Sequence, residues 1–345
     1  MSPVPPLHRN LDRRGLFAAG GALGGAALLS ACSSDGEAEA SGDTEGSQPW
    51  TFTDDRDRTV ELDAAPSTVV AFTGLAAAMY DYGVEITTVF GPTTTESGEP
   101  DLQAGRMPVG ELTVLGNVWG EFDLERYVAA EPDLMASHFH EGFDELWYVP
   151  EEVGDEVEQV APTIGIATGD RPLEEVLTRH VELAAALGAD MDSEVVAAGR
   201  DRYEAAVEAV REAAADNPVR LIACNASPEA LYVGNPQAFD VLAKCAELGV
   251  DLVMPDNPED GGYWETLAWE NADRYQGDAI LLDQRTGNLK LETLAEEPTW
   301  ASLPAVEAGQ VTPWNPEPVY SHVGVAEILE SIAEALSGAE PVVSG

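Results

Sequence analysis

Between Trp50 and Gly338 short apolar runs alternate with helical patterns in two separate series. The stretch that divides them, PLEEVLTRHVELAAALG from Pro172 to Gly188, is helical with no strand immediately on either side. Strands alternating with helices argue for parallel, doubly wound sheets, because parallel neighbours need a crossover between them. The first series opens on a hairpin, WTFTDDRDRTVELDA. It continues through strand TVVAF, helix GLAAAMYDYG, strand ITTVFG, a helix over 122–130, a strand after Pro132 and one more in VEQVAPTIGI. The second follows a helix over 192–215 and runs through VRLIAC, LYVG, FDVLAKCAELG, DLVM, DAILLD and QVTPW to an amphipathic closing helix, HVGVAEILESIAEALSG. The expected fold is α/β: two doubly wound α/β lobes, residues 50–170 and 190–345, joined by a single long bridging helix over 171–189. A chain of 345 residues has room for two such cores. Ligands of open α/β sheets sit beyond the carboxyl ends of the strands, so the loops at those ends are the ones to inspect.

The charge balance narrows the partners. Sixty-three acidic side chains stand against 17 basic ones, for a net charge of −46, and Lys244 and Lys290 are the only lysines. Phosphate backbones need a basic face, so nucleic acid is excluded as a partner. Such a surface attracts a cationic or neutral ligand over an anionic one.

Residues 1–31 place the pair Arg13-Arg14 ahead of a mildly apolar Gly/Ala stretch, the order of an export signal of twin-arginine type. The following LSAC resembles the lipobox of bacterial lipoproteins, which makes Cys32 the lipidation site and residues 32–49 a disordered tether. The folded body is then expected outside the cytoplasmic membrane, on its outer face. In that oxidising compartment Cys224 and Cys245 can form a disulfide or remain two buried thiols, and the sequence leaves both open.

Several phrases carry a resemblance. LERYVAAEPDLMAS and ENADRYQGDAILLD each resemble a helix followed by a "PDL"-type strand, and PTWASLPAVEAGQVTPW resembles a W-x-x-L-P-A-V-x-x-G signature. In this order the chain resembles the substrate-binding lipoproteins of ABC importers. More narrowly it is similar to the helix-hinged class that captures ferric siderophores, haem, cobalamin or metal ions. The resemblance implies a monomer that holds its ligand between two lobes, passes it to an ABC permease and needs no cofactor.

The same resemblance points to site residues. GNVWG offers Trp119 where hydroxamate binders of the class place an arginine, and SHFHEGF offers His138 and His140 near an aromatic contact position. DGGYWETLAW matches a loop that supplies a tryptophan, here Trp264 beside Tyr263. Arg285 follows a strand end, where a guanidinium suits hydroxamate or carboxylate oxygens. Trp314, Tyr320 and His322 bring the loop before the closing helix to the cleft. Aromatic rings suit a bulky amphipathic ligand because they bury large area at small entropic cost. For permease docking, Glu270 matches the second-lobe carboxylate; in the first lobe the matching place is Ala77, with Asp81 as a nearby substitute. His180, inside the bridging helix, reads as structural.

His138, His140 and His322, with Glu141, form the alternative of a zinc or other metal site. Metal-ion members of the class tend to have His-rich loops, and this chain has five histidines in all, which counts against it. The ligand that the resemblance implies is a ferric siderophore of hydroxamate type, with haem, cobalamin or a metal ion as alternatives. An enzyme on a similar bilobal frame is the other class. The chain has no G-x-S-x-G, H-E-x-x-H, Walker A or G-x-G-x-x-G motif.

Overall fold

The structure, a computed structural model, describes residues 48–140, 145–259, 261–285 and 287–343. Arg13, Arg14, Cys32 and Glu141 lie outside the described residues.

The hairpin forms as an antiparallel pair, β1 (Trp50–Thr53) and β2 (Thr59–Leu62). The first lobe follows as β3 (Val69–Phe72), α1 (Thr73–Asp81), β4 (Thr88–Phe90), β5 (Thr113–Val114), α2 (Leu124–Ala129), β6 (Leu134–Phe139), α3 (Glu151–Val160) and β7 (Thr163–Ala167). Its sheet is wholly parallel in the order β5-β4-β3-β6-β7. Both faces of such a sheet are covered, which is why β6 and β7 are almost continuously buried. The helix α1 is alanine-rich because it too is buried nearly all round, from Thr73 to Met79.

The bridging helix is α4 (Leu173–Ala186). Its first turns, Leu173, Val176 and Leu177, pack into the second core, and its last, Leu183 and Ala184, into the first. The next helix, α5 (Glu194–Asp216), starts with Val196 in the first core and continues with Ala206 and Val210 in the second. Ser193 caps α5 by accepting from the Val196 amide, which satisfies one of the donors left open in its first turn.

The second lobe comprises β8 (Arg220–Ala226), β9 (Ala230–Gly234), α6 (Asp240–Glu247), β10 (Asp251–Leu252), β11 (Trp264–Ala268), β12 (Ala279–Asp283), α7 (Leu291–Leu294), α8 (Pro298–Ala301), α9 (Pro304–Glu307), β13 (Val311–Trp314) and α10 (His322–Gly338). Its sheet runs β11-β9-β8-β12-β13, with β10 beside the start of β8. Here the expectation of a parallel sheet is corrected, because β9 and β11 run antiparallel to their neighbours. Only Ser227, Pro228 and Glu229 separate β8 from β9, which suffices for a hairpin and not for a crossover.

The possible disulfide is also corrected, since Cys224 and Cys245 are both free and buried. Cys224, on β8, belongs to the core on one face of this sheet, and Cys245, on α6, to the core on the other. The sheet itself stands between the two thiols.

Candidate functional site

A cavity of about 320 Å³ opens between the lobes, at the lower end of the range typical of small-molecule sites. The first lobe contributes His140 after β6, Trp147 on the same connection and Gly169 after β7. The second contributes Tyr263 and Trp264 at the start of β11, Phe239 and Asp240 at the start of α6, Arg285 after β12, and Glu317 and Tyr320 between β13 and α10.

Close packing fixes the aromatic wall. Trp264 stands opposite Gly234 on β9, where a Cβ would lie 3.3 Å from the indole, so glycine leaves room for the ring. Phe239 meets the Tyr263, Trp264 and Trp314 rings at 5.1–5.4 Å between centroids, in edge contacts. Across the cleft Gly169 has φ +75°, and a Cβ there would lie 2.3 Å from the Tyr263 hydroxyl. Only glycine permits that approach of the two lobes. The His140 ring lies 4.4 Å from that of Trp147 and donates through Nδ1 to the Thr168 carbonyl at 3.1 Å. Burial lowers its pKa, so the neutral imidazole is favoured.

The polar side of the cavity centres on Glu317. Its Oε1 pairs with Arg285, and its Oε2 accepts from Gln103 at 2.6 Å and from the Trp147 indole at 3.3 Å, so one carboxylate ties both lobes. Arg285 also binds the fully buried carboxylate of Asp283, through Nε at 3.1 Å and Nη2 at 2.8 Å. Burial pushes the pKa of Asp240 up to about 6, against hydrogen bonds from Tyr320 and the Gly169 backbone.

Five residues expected at the cleft, His140, Tyr263, Trp264, Arg285 and Tyr320, thus line one cavity. The other four do not. Trp119 is 56% exposed beside the cavity, its ring 4.8 Å from that of Trp147. Trp314 is buried behind the wall and faces a second cavity, of about 240 Å³, that also touches Asp81, Arg106 and Glu327. His138 and His140 would share a face on a regular strand, but β6 ends at Phe139 and His140 lies beyond it; His138 Nε2 meets that of His180 at 3.2 Å instead. His180 Nδ1 faces the Val176 carbonyl, which can only accept, so His180 Nε2 is the acceptor and His138 the donor. His322 instead pairs with the Tyr82 hydroxyl at 2.9 Å.

The metal alternative on His138, His140 and His322 is corrected accordingly, because the three rings face three different partners. Among the described residues no group of three or more His, Cys, Asp or Glu side chains is arranged to hold a metal ion. Asp81 also fails as a docking carboxylate: its side chain is 3% exposed, paired with Arg106 and bonded to Ser321. Glu270 lies exposed on a 3₁₀ turn, Trp269–Asn271.

Sequence reasoning missed Trp147, Phe239, Asp240 and Glu317. The adjacent aromatics Trp147 and Tyr148, a few residues beyond the SHFH strand end, were a usable signal. Glu317 was one acid among 63.

Two α/β lobes around a cleft, spanned from behind by a long helix, define a two-lobed ligand-binding protein. The chain matches the periplasmic binding protein family over residues 69–318 and belongs to that family. It is similar to DesE, a ferric-siderophore receptor protein from Streptomyces coelicolor, at 42% identity and a TM-score of 0.83, over 86% of this chain and 100% of that one. Two further structures share the fold. The siderophore periplasmic binding protein from the fuscachelin gene cluster of Thermobifida fusca is 24% identical (TM-score 0.57; 80% of this chain, 98% of that one). The petrobactin-binding protein YclQ from Bacillus subtilis is 14% identical (TM-score 0.65; 84% and 99%). No curated protein matches the chain. The family and these neighbours are binding proteins rather than enzymes.

Proposed function

We propose that the protein is an extracytoplasmic receptor that binds a ferric siderophore of hydroxamate type and delivers it to an ABC permease. The observation that carries this reading is the aromatic cavity between the lobes, in a chain that matches a ferric-siderophore receptor over that receptor's whole length. Trp264, Tyr263, Trp147 and Tyr320 supply flat apolar area for the ligand shell, with His140, Arg285 and Glu317 as its polar contacts. In this reading the chain is exported by residues 1–31, lipidated at Cys32, monomeric, and docked through Glu270. Among the described residues no helix is long and apolar enough to cross a membrane.

Trp264 and Trp147 line the cavity, so tryptophan fluorescence reports on its occupation. Titration with ferric hydroxamates, iron-free siderophores, haemin, cobalamin and zinc should give saturable quenching with a ferric hydroxamate and weaker binding of it by Trp264→Ala. A saturable response to haemin, cobalamin or zinc alone would overturn the proposal.

A further inference from the structure

Three charged side chains line the cavity: Asp240, Arg285 and Glu317. The guanidinium is already occupied. Its Nε and Nη2 hold Asp283, a carboxylate with no exposed side-chain surface, and its Nη1 holds Glu317. The cavity lining thus carries two carboxylates, Asp240 and Glu317, against one guanidinium, which is shared with a third carboxylate, Asp283. No other lysine or arginine lines the cavity among the described residues.

Both acids have acceptor capacity left. The Glu317 side chain is 17% exposed and receives Arg285, Gln103 and Trp147, whereas a carboxylate offers about four acceptor positions. Pro316 and Pro318 flank it, and their fixed φ angles hold the loop in place before any ligand arrives. Asp240 is 4% exposed and its Oδ2 has no hydrogen-bond partner. The two carboxylates act on the same two cavity phenols, Tyr263 and Tyr320, whose ionisation both oppose. An anionic ligand group would have to break the Arg285–Glu317 pair and lie beside two negative charges. A cationic group meets an acceptor already oriented by three donors.

We propose that the cavity contains a subsite for a protonated amine, received by the Glu317 carboxylate with the Asp240 carboxyl behind it, so that the preferred ligand is a ferric complex bearing a pendant ammonium. This selectivity is local and distinct from the long-range field of the acidic surface. It rests on the siderophore reading above, and Arg285 becomes in it a positioning residue for Glu317 rather than a donor to the ligand.

The test compares the ferric complex of a linear trihydroxamate carrying a free terminal amine with the same complex N-acetylated, which keeps the iron coordination and removes one charge. Fluorescence titration should show the amine form binding about tenfold or more tightly, as one close charge contact in a partly buried site allows. The preference should survive about 1 M salt, where screening extends only about 3 Å and a surface field is lost. In Glu317→Gln and Asp240→Asn, each checked for folding by thermal melting, the ratio between the two complexes should fall toward one. Equal binding of both complexes by the unaltered protein overturns the subsite and leaves the siderophore reading standing. A preference that vanishes in high salt or persists in Glu317→Gln also overturns it. Binding of no ferric siderophore at all removes the reading and the subsite together.

Discussion

The lobes meet in two places built from the same residue types, with opposite outcomes. At the cavity, His140, Trp147, Tyr263, Glu317 and Tyr320 leave open volume. Behind it, His138, His180 and the inner face of Tyr320 close into a packed seam with ring centroids 5.3–5.5 Å apart. His138 and His140 are two residues apart and belong one to each. Histidine and aromatic content therefore does not distinguish a ligand wall from a structural joint; partners and burial do.

The strongest way to break this contrast is Arg285→Ala. Asp283 would be left buried without its cation, so the change should cost about 3–5 kcal/mol in urea denaturation, although Arg285 lines the open cavity. A cost below about 1 kcal/mol would mean that the pair is not a structural strut.

The packed seam should show itself in pH dependence. Burial pushes His180 down to about 4, and burial and His180 hold His138 well below the usual imidazole range. In the unfolded chain both take up protons as pH falls through about 6.5. Stability from their neutral pairing is thus fully present above about 6.5 and is lost as pH falls toward about 4, where His180 charges in the folded state too. The His180 share is about 3 kcal/mol over that window. Unfolding free energies between these limits should slope less in His180→Gln than in the unaltered chain; equal slopes would place the titration elsewhere.

At the cavity, Trp264→Ala should weaken ferric hydroxamate binding by about 1–3 kcal/mol, whereas Trp119→Ala, at the exposed rim, should cost under about 1 kcal/mol. Reversal of that order would move the ligand outward to the rim. The smallest effect concerns the second lobe's core, where reductant should leave the melting temperature unchanged because Cys224 and Cys245 are free. A fall on reduction would reveal a bridge.

Much of the frame was readable in the chain. The helical patterns and strands of the first lobe lie within a few residues of α1, β4, α2 and β6, because apolar periodicity reports burial directly. The strand β11 was not readable, since DGGYWETLAW begins with a Gly-rich stretch that hides Trp264 as the first residue of an edge strand. For the site, loop position after a strand end pointed to His140 and Arg285, both of which line the cavity, but not to the two carboxylates that hold the guanidinium.

By itself the sequence determined the two α/β series, the dividing helix and the surplus of acid, because these follow from local periodicity and composition. Only the tertiary structure decided that His138 joins His180, that Cys224 and Cys245 face opposite sides of a sheet, and that Glu317 becomes the polar centre of the cavity. Those outcomes depend on which side chains from distant segments share one buried volume, and pairings made across 42 to 214 positions of chain leave no local pattern to read.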